Sequence, residues 1–103
     1  MKELLHDLNI ENLEKIVGKR FYRFEELAEE IDNLVGSEGL VLFESYKNEE
    51  RDDCDFELIG AILNEEKDEN DNFLGSVEQY DITIYYTKSK NHFYITETDY
   101  ENL

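Results

Sequence analysis

The sequence predicts an α+β fold in which two N-terminal helices pack on one face of a four-stranded antiparallel sheet, a meander, within a single domain of residues 1–103. Three observations predict it. Apolar residues recur at helical spacing as far as Val35 and at alternate positions after Gly39. The chain is 40% hydrophobic, which exceeds what a disordered acidic tail contains and is enough for one small core. Glycines stand where a helix has to stop, at Gly18 and Gly36.

Asn9 or Asn12 caps a short first helix through about Val17, with Ile10, Leu13, Ile16 and Val17 as its apolar stripe and Gly18 at its end. Leu4, Leu5 and Leu8 are placed to extend it backwards. Lys19 to Arg23 reads as a short extended linker. A second helix follows from about Phe24 to Val35, where Phe24, Leu27, Ala28, Ile31, Leu34 and Val35 share one face and Gly36 supplies the C-cap.

Four strands then cover Leu40 to Tyr46, Cys54 to Leu63, Val77 to Thr87 and His92 to Thr98. Tyr80, Ile82, Ile84 and Tyr86 alternate with Asp81, Thr83, Tyr85 and Thr87, the pattern of a half-buried strand. Lys88-Ser89-Lys90-Asn91 is a tight connection that pairs the last two strands as a hairpin. Gly60 marks a bulge or a close helix approach. The connections Lys47–Asp53 and Asn64–Gly75 are charged and read as mobile hairpin loops, with no proline anywhere to stiffen them.

Charge is the main functional clue. Residues 1–23 hold five bases and four acids, whereas residues 24–103 carry a net of −18. Between Arg23 and Lys47 stand seven carboxylates and no base. Such a field attracts a basic partner and repels nucleic acid, membrane surfaces and other anions. It also destabilises the compact state, so stability is expected to rise with salt, which screens over about 8 Å at physiological ionic strength.

Little in the chain points to catalysis. Asp68, Asn70 and Asn72 match the first, third and fifth positions of an EF-hand loop, but Phe73 replaces the sixth-position Gly and Gln79 the twelfth-position Glu. Asp53 and Asp55 flank the lone Cys54 and disfavour its thiolate. His6 and His92 form no metal signature with it. There is no phosphate-cradling Gly-rich loop and no serine elbow, so no catalytic, cofactor or metal residue is assigned. The N-terminus lacks a signal-peptide stretch and no run reaches membrane-spanning length, so a cytoplasmic protein is expected.

The acids themselves form the candidate site. On a strand, Asp53, Asp55 and Glu57 make a row about 6.7 Å apart, twice the roughly 3.4 Å step between phosphates of one DNA strand. Glu25, Glu26, Glu29, Glu30 and Asp32 spread over the outer face of the second helix. Glu49, Glu50 and Asp52 belong to the first acidic loop, and Glu65, Glu66, Asp68, Glu69 and Asp71 to the second. The bland reading is a solvated surface that only maintains solubility. Its one sign, its clustering and its cost in stability favour partner binding.

The closing stretch YDITIYYTKSKNHFYITETDYE, Tyr80 to Glu101, resembles the Tyr/Ile-rich hairpins of small proteins carried by Gram-positive phages and mobile elements. An acidic helix paired with acidic hairpin loops, without Pro or Trp, resembles the type II anti-CRISPR proteins, which inhibit Cas9. That resemblance lies in general character and carries over no individual residue. It implies a non-enzymatic inhibitor that acts as an acidic DNA mimic on a basic protein surface, such as a Cas9–guide RNA complex, without touching nucleic acid or membrane itself. A second class of function fits the same acids: a binding module of a toxin–immunity or phage regulatory system.

Overall fold

A computed structural model describes residues 3–37, 39–47 and 56–103, apart from the side chains of residues 39–44. Among them, β1 (Glu3–Leu4), a 3-10 segment (Ile10–Ile16), β2 (Arg20–Phe21), α1 (Phe24–Val35), β3 (Gly39–Lys47), β4 (Phe56–Lys67), β5 (Phe73–Lys88) and β6 (Phe93–Asn102) follow in order. The class is α+β, but the expected four-stranded sheet under two helices is overturned. The sheet has six antiparallel strands, and only one of the two helical segments is an α-helix.

The long strands β3, β4, β5 and β6 pair consecutively. The two extra strands are short edge additions: β1 lies beside the far end of β4, pairing Glu3 with Lys67, and β2 lies beside the start of β6, pairing Phe21 with Phe93. Two-residue strands carry no periodicity, which is why the sequence hides them. Leu4 and Leu5 therefore belong to the sheet edge rather than to a helix, with the Leu5 N–H donating to the Glu65 carbonyl at 2.8 Å.

The first helix is 3-10 for a reason visible in its spacing. Ile10, Leu13 and Ile16 are buried three residues apart, matching three residues per turn, while Val17 is exposed. Asn12 does not cap its own segment. Its side-chain amide donates to the Leu34 carbonyl at 2.8 Å and so closes one of the orphan carbonyls at the end of α1. Gly36 finishes α1 in the left-handed conformation, φ 85°, donating its N–H to the Asp32 carbonyl.

α1 and the 3-10 segment cover one face of the sheet. Leu27, Ile31 and Val35 meet Leu58, Ile62, Ile82, Ile84 and Ile95 in one cluster. Each such side chain contributes about 1.5–3 kcal/mol on burial. At one end the cluster becomes aromatic: Tyr86 stacks on Phe56 at 5.3 Å between centroids and touches Phe93 at 5.2 Å, with Phe24 closing over both. Burial pushes the Tyr86 phenol above its usual range, only partly offset by the Ser45 hydroxyl that it meets across β4.

Strand lengths also depart from expectation. β4 runs on to Lys67 and β5 begins at Phe73, so most of the Asn64–Gly75 stretch is ladder and not a mobile loop. The polar run conceals this, because its buried member is Asn64. That side chain is 1% exposed, accepts the His6 and Glu65 N–H groups, and donates to the His6 carbonyl and the Gln79 side chain. A polar group so fully satisfied fixes the register at the place where β5 bulges past Ile62 and Leu63. Opposite Gly60 and Ile59, the register of β3 shifts between Leu42 and Glu44.

Candidate partner-binding surface

The face of the sheet turned away from α1 carries acids from three neighbouring strands. Strand alternation generates it. With Tyr80, Ile82, Ile84 and Tyr86 buried on the helical side, Asp81, Thr83 and Tyr85 project to the other. Register then brings Glu101 opposite Asp81, Asp99 opposite Thr83, and Glu97 and Glu57 to either side of Tyr85. Glu97, Asp99 and Glu101 thus form a row on one strand at about 6.7 Å spacing. Asp81 directly across from Glu101 is a like-charge pair that costs stability.

This row is the principal set that sequence reasoning missed. The fourth strand was expected to stop at Thr98, and it runs to Asn102. The signal lay in the alternation Glu97-x-Asp99-x-Glu101, but of the alternate positions Thr98, Tyr100 and Asn102 a single one, Tyr100, is not a small polar residue, so no apolar stripe announced a strand.

The expected site residues meet different fates. Glu49, Glu50, Asp52, Asp53 and Asp55 lie outside the described residues, as does Cys54. Glu57 sits on the open face of β4. On α1, Glu25 and Glu29 are exposed, whereas Glu30 pairs with Lys19 at 3.1 Å and Glu26 with Arg23 at 3.7 Å. Asp32 accepts the Ser37 hydroxyl at 2.6 Å, and burial raises its pKa above the ordinary carboxylate value. The uniform acidic helix face is therefore corrected: bases flanking the helix in sequence fold back onto part of it.

The second acidic loop is a turn built from its own carboxylates. Asp68 accepts the N–H groups of Asn70 and Asn72 and the Asn72 amide, and the backbone bond from Asn72 holds its pKa below the usual value. Asp71, at φ 64°, reaches Lys67 at 3.0 Å. Glu65 contacts His6 at 3.3 Å, and Glu66 lies opposite Leu4 in the ladder. Glu69 stays on the exposed tip. The Asp-x-Asn-x-Asn pattern is thus a turn signature.

Two clefts lie among the described residues beside the sheet. One of about 310 Å³ runs between the 3-10 segment and β6, lined by Glu11, Glu14, Thr98, Asp99 and Tyr100. The other, about 220 Å³, lies at the β5–β6 turn among Tyr22, Lys88, Lys90 and His92. Lys47 and Arg20 lie near that turn by register, and Arg23 follows Tyr22 in sequence, so bases gather there while the open face stays acidic. Among the described residues, no three His, Cys, Asp or Glu side chains converge as a metal site, and no helix is long and apolar enough to cross a membrane.

Comparison of the chain with protein-family models, curated proteins and solved structures finds no match.

Proposed function

We propose that this chain is a non-enzymatic anionic decoy that occupies the nucleic-acid-binding surface of a basic protein, with a Cas9–guide RNA complex as the first partner to test. The observation that carries the reading is the open sheet face, where Glu57, Asp81, Glu97, Asp99 and Glu101 are set on three adjacent strands. Strand geometry fixes carboxylates at a spacing near a multiple of the phosphate step, and a sheet holds them without the ordering cost of a loop. Keeping Asp81 across from Glu101 lowers stability, and a partner's cations relieve that repulsion on binding. Guanidinium groups that read bases or phosphates bind carboxylates bidentately, so the base-reading arginines of a Cas9 effector are chemically matched to such a row.

The test is a nuclease cleavage assay with the purified protein added before target DNA. Inhibition that weakens as salt rises is the expected result. Undiminished cleavage at large molar excess, across several Cas9 orthologues, removes that partner from the proposal.

A further inference from the structure

From the backbone of β6 we infer a second mode of recognition: its outer edge takes up a cationic extended peptide as an added strand. The inference deepens the decoy reading, on which it rests for the sign of the partner's charge. Leu103 donates its N–H to the Gln79 carbonyl of β5 at 3.0 Å, so the odd positions of this half of β6 face β5 and Thr98, Tyr100 and Asn102 face outward. Closer to the strand start that outward side is occupied: Ile95 donates to the Lys19 carbonyl and accepts the Gly18 N–H, and β2 pairs with Phe93 and Tyr94. Beyond Ile95, no strand among the described residues pairs with this edge. The Tyr100 N–H turns instead to the carboxylate of its neighbour Asp99, at 2.9 Å.

A row of outward N–H and C=O groups is a template for strand addition. The cleft beside it says what fits. Glu11 and Glu14 line it from the 3-10 segment and Thr98, Asp99 and half-exposed Tyr100 from β6, the Tyr100 ring lying edge-on to Tyr80. A strand laid against β6 would present one set of side chains to Glu11 and Glu14 and the alternate set toward Asp99 and Glu101. Both sets have to be cationic or small. A second copy of this chain is excluded by the same logic, because pairing β6 with β6 would set its acids against each other. The occupant is therefore an extended lysine- or arginine-rich segment of a partner.

The probe is a ten-residue peptide of alternating lysine and threonine, compared with the same peptide N-methylated at two successive central residues. Methylation keeps every charge and blocks both hydrogen-bonding edges. We expect the parent to bind at least about tenfold more tightly, the worth of one or two backbone hydrogen bonds, and to slow hydrogen exchange at the Thr98, Tyr100 and Asn102 amides. E11K/E14K should weaken the parent peptide about tenfold more than E25K/E29K, an equal change of charge on α1, with circular dichroism confirming both folds. Equal binding of the two peptides, or unchanged exchange at those amides, overturns edge addition while leaving the anionic decoy standing. Failure of the parent peptide to bind at low salt overturns it too, and the decoy reading is then decided separately by the cleavage assay with a folded basic partner.

Discussion

The β4–β5 turn and the second half of β6 are both acidic, yet their carboxylates have different occupations. In the turn, Asp68 holds two backbone N–H groups and Asp71 reaches Lys67, so the acids are what close the chain on itself. On β6, Asp99 accepts the N–H of its neighbour Tyr100, and Glu101 faces Asp81 across the ladder. The first arrangement stabilises the fold, and the second opposes it. Acids that a fold keeps at a cost are the better candidates for meeting a partner.

The most demanding test of that contrast compares E97K/D99K/E101K with D68K/E69K/D71K, which change net charge equally. The β6 variant is expected to weaken the complex with a basic partner roughly thirtyfold or more, since desolvated charge pairs are worth about 2–5 kcal/mol on truncation. The turn variant should lose less affinity but melt at a lower temperature. Surface binding at two salt concentrations reads the first effect and thermal melts the second. Equal affinity losses would mean that bulk charge, not a patterned strand, carries binding.

A smaller effect is expected at the anchor of the turn region. Asn64→Leu leaves the half-buried His6 and Glu65 backbone groups without their buried partner, and urea denaturation should register a loss of about 1–3 kcal/mol. An unchanged midpoint would show that this end of the sheet does not depend on its polar core.

Acid titration separates two carboxylates by sign. Asp68 has its folded pKa lowered, so its stabilisation is present above the unfolded value near 3.8 and is lost as pH falls through the folded one. Asp32 has its folded pKa raised by burial, so its favourable contribution exists below about 3.8 and is lost as pH rises through the folded value. D32N should therefore be more stable than the native chain at neutral pH and lose that advantage in acid, while D68N should flatten the acid loss. Melts from about pH 7 to about pH 3 decide both. The smallest expected change is a rise in melting temperature between low and high salt, as self-repulsion is screened. A fall would mean that ion pairs such as Lys19–Glu30 outweigh it.

α1 was legible to the residue because its apolar positions and Gly36 agree on one helix. The hairpin of β5 and β6 was legible because Tyr80 to Tyr86 alternate cleanly and the Ser89 N–H closes a short turn on the His92 carbonyl. What escaped was whatever the fold buries or pairs without apolar side chains: Asn64 inside β4, the Asp68 turn, and the Thr–Glu–Thr–Asp end of β6. Hydrophobic periodicity reports burial of carbon and is silent about backbone ladders satisfied by polar residues. The acidic face of α1 was overestimated for a related reason, since linear charge counting does not see Lys19 fold back onto Glu30.

The stacked ring of Tyr86 has an optical consequence. With seven tyrosines and no tryptophan, the near-ultraviolet spectrum of this chain belongs to tyrosine. Tyr86 ionises above the ordinary phenol range because it is buried, so its contribution to stability is intact below about pH 10 and is lost as pH rises through its folded value. Forming that phenolate strains the aromatic end of the core, where Phe56, Phe93 and Phe24 surround it. In an alkaline titration the phenolate absorbance that appears last, above the ordinary phenol range, is therefore the share expected of Tyr86, a report on that end of the interior from a chromophore the chain already carries.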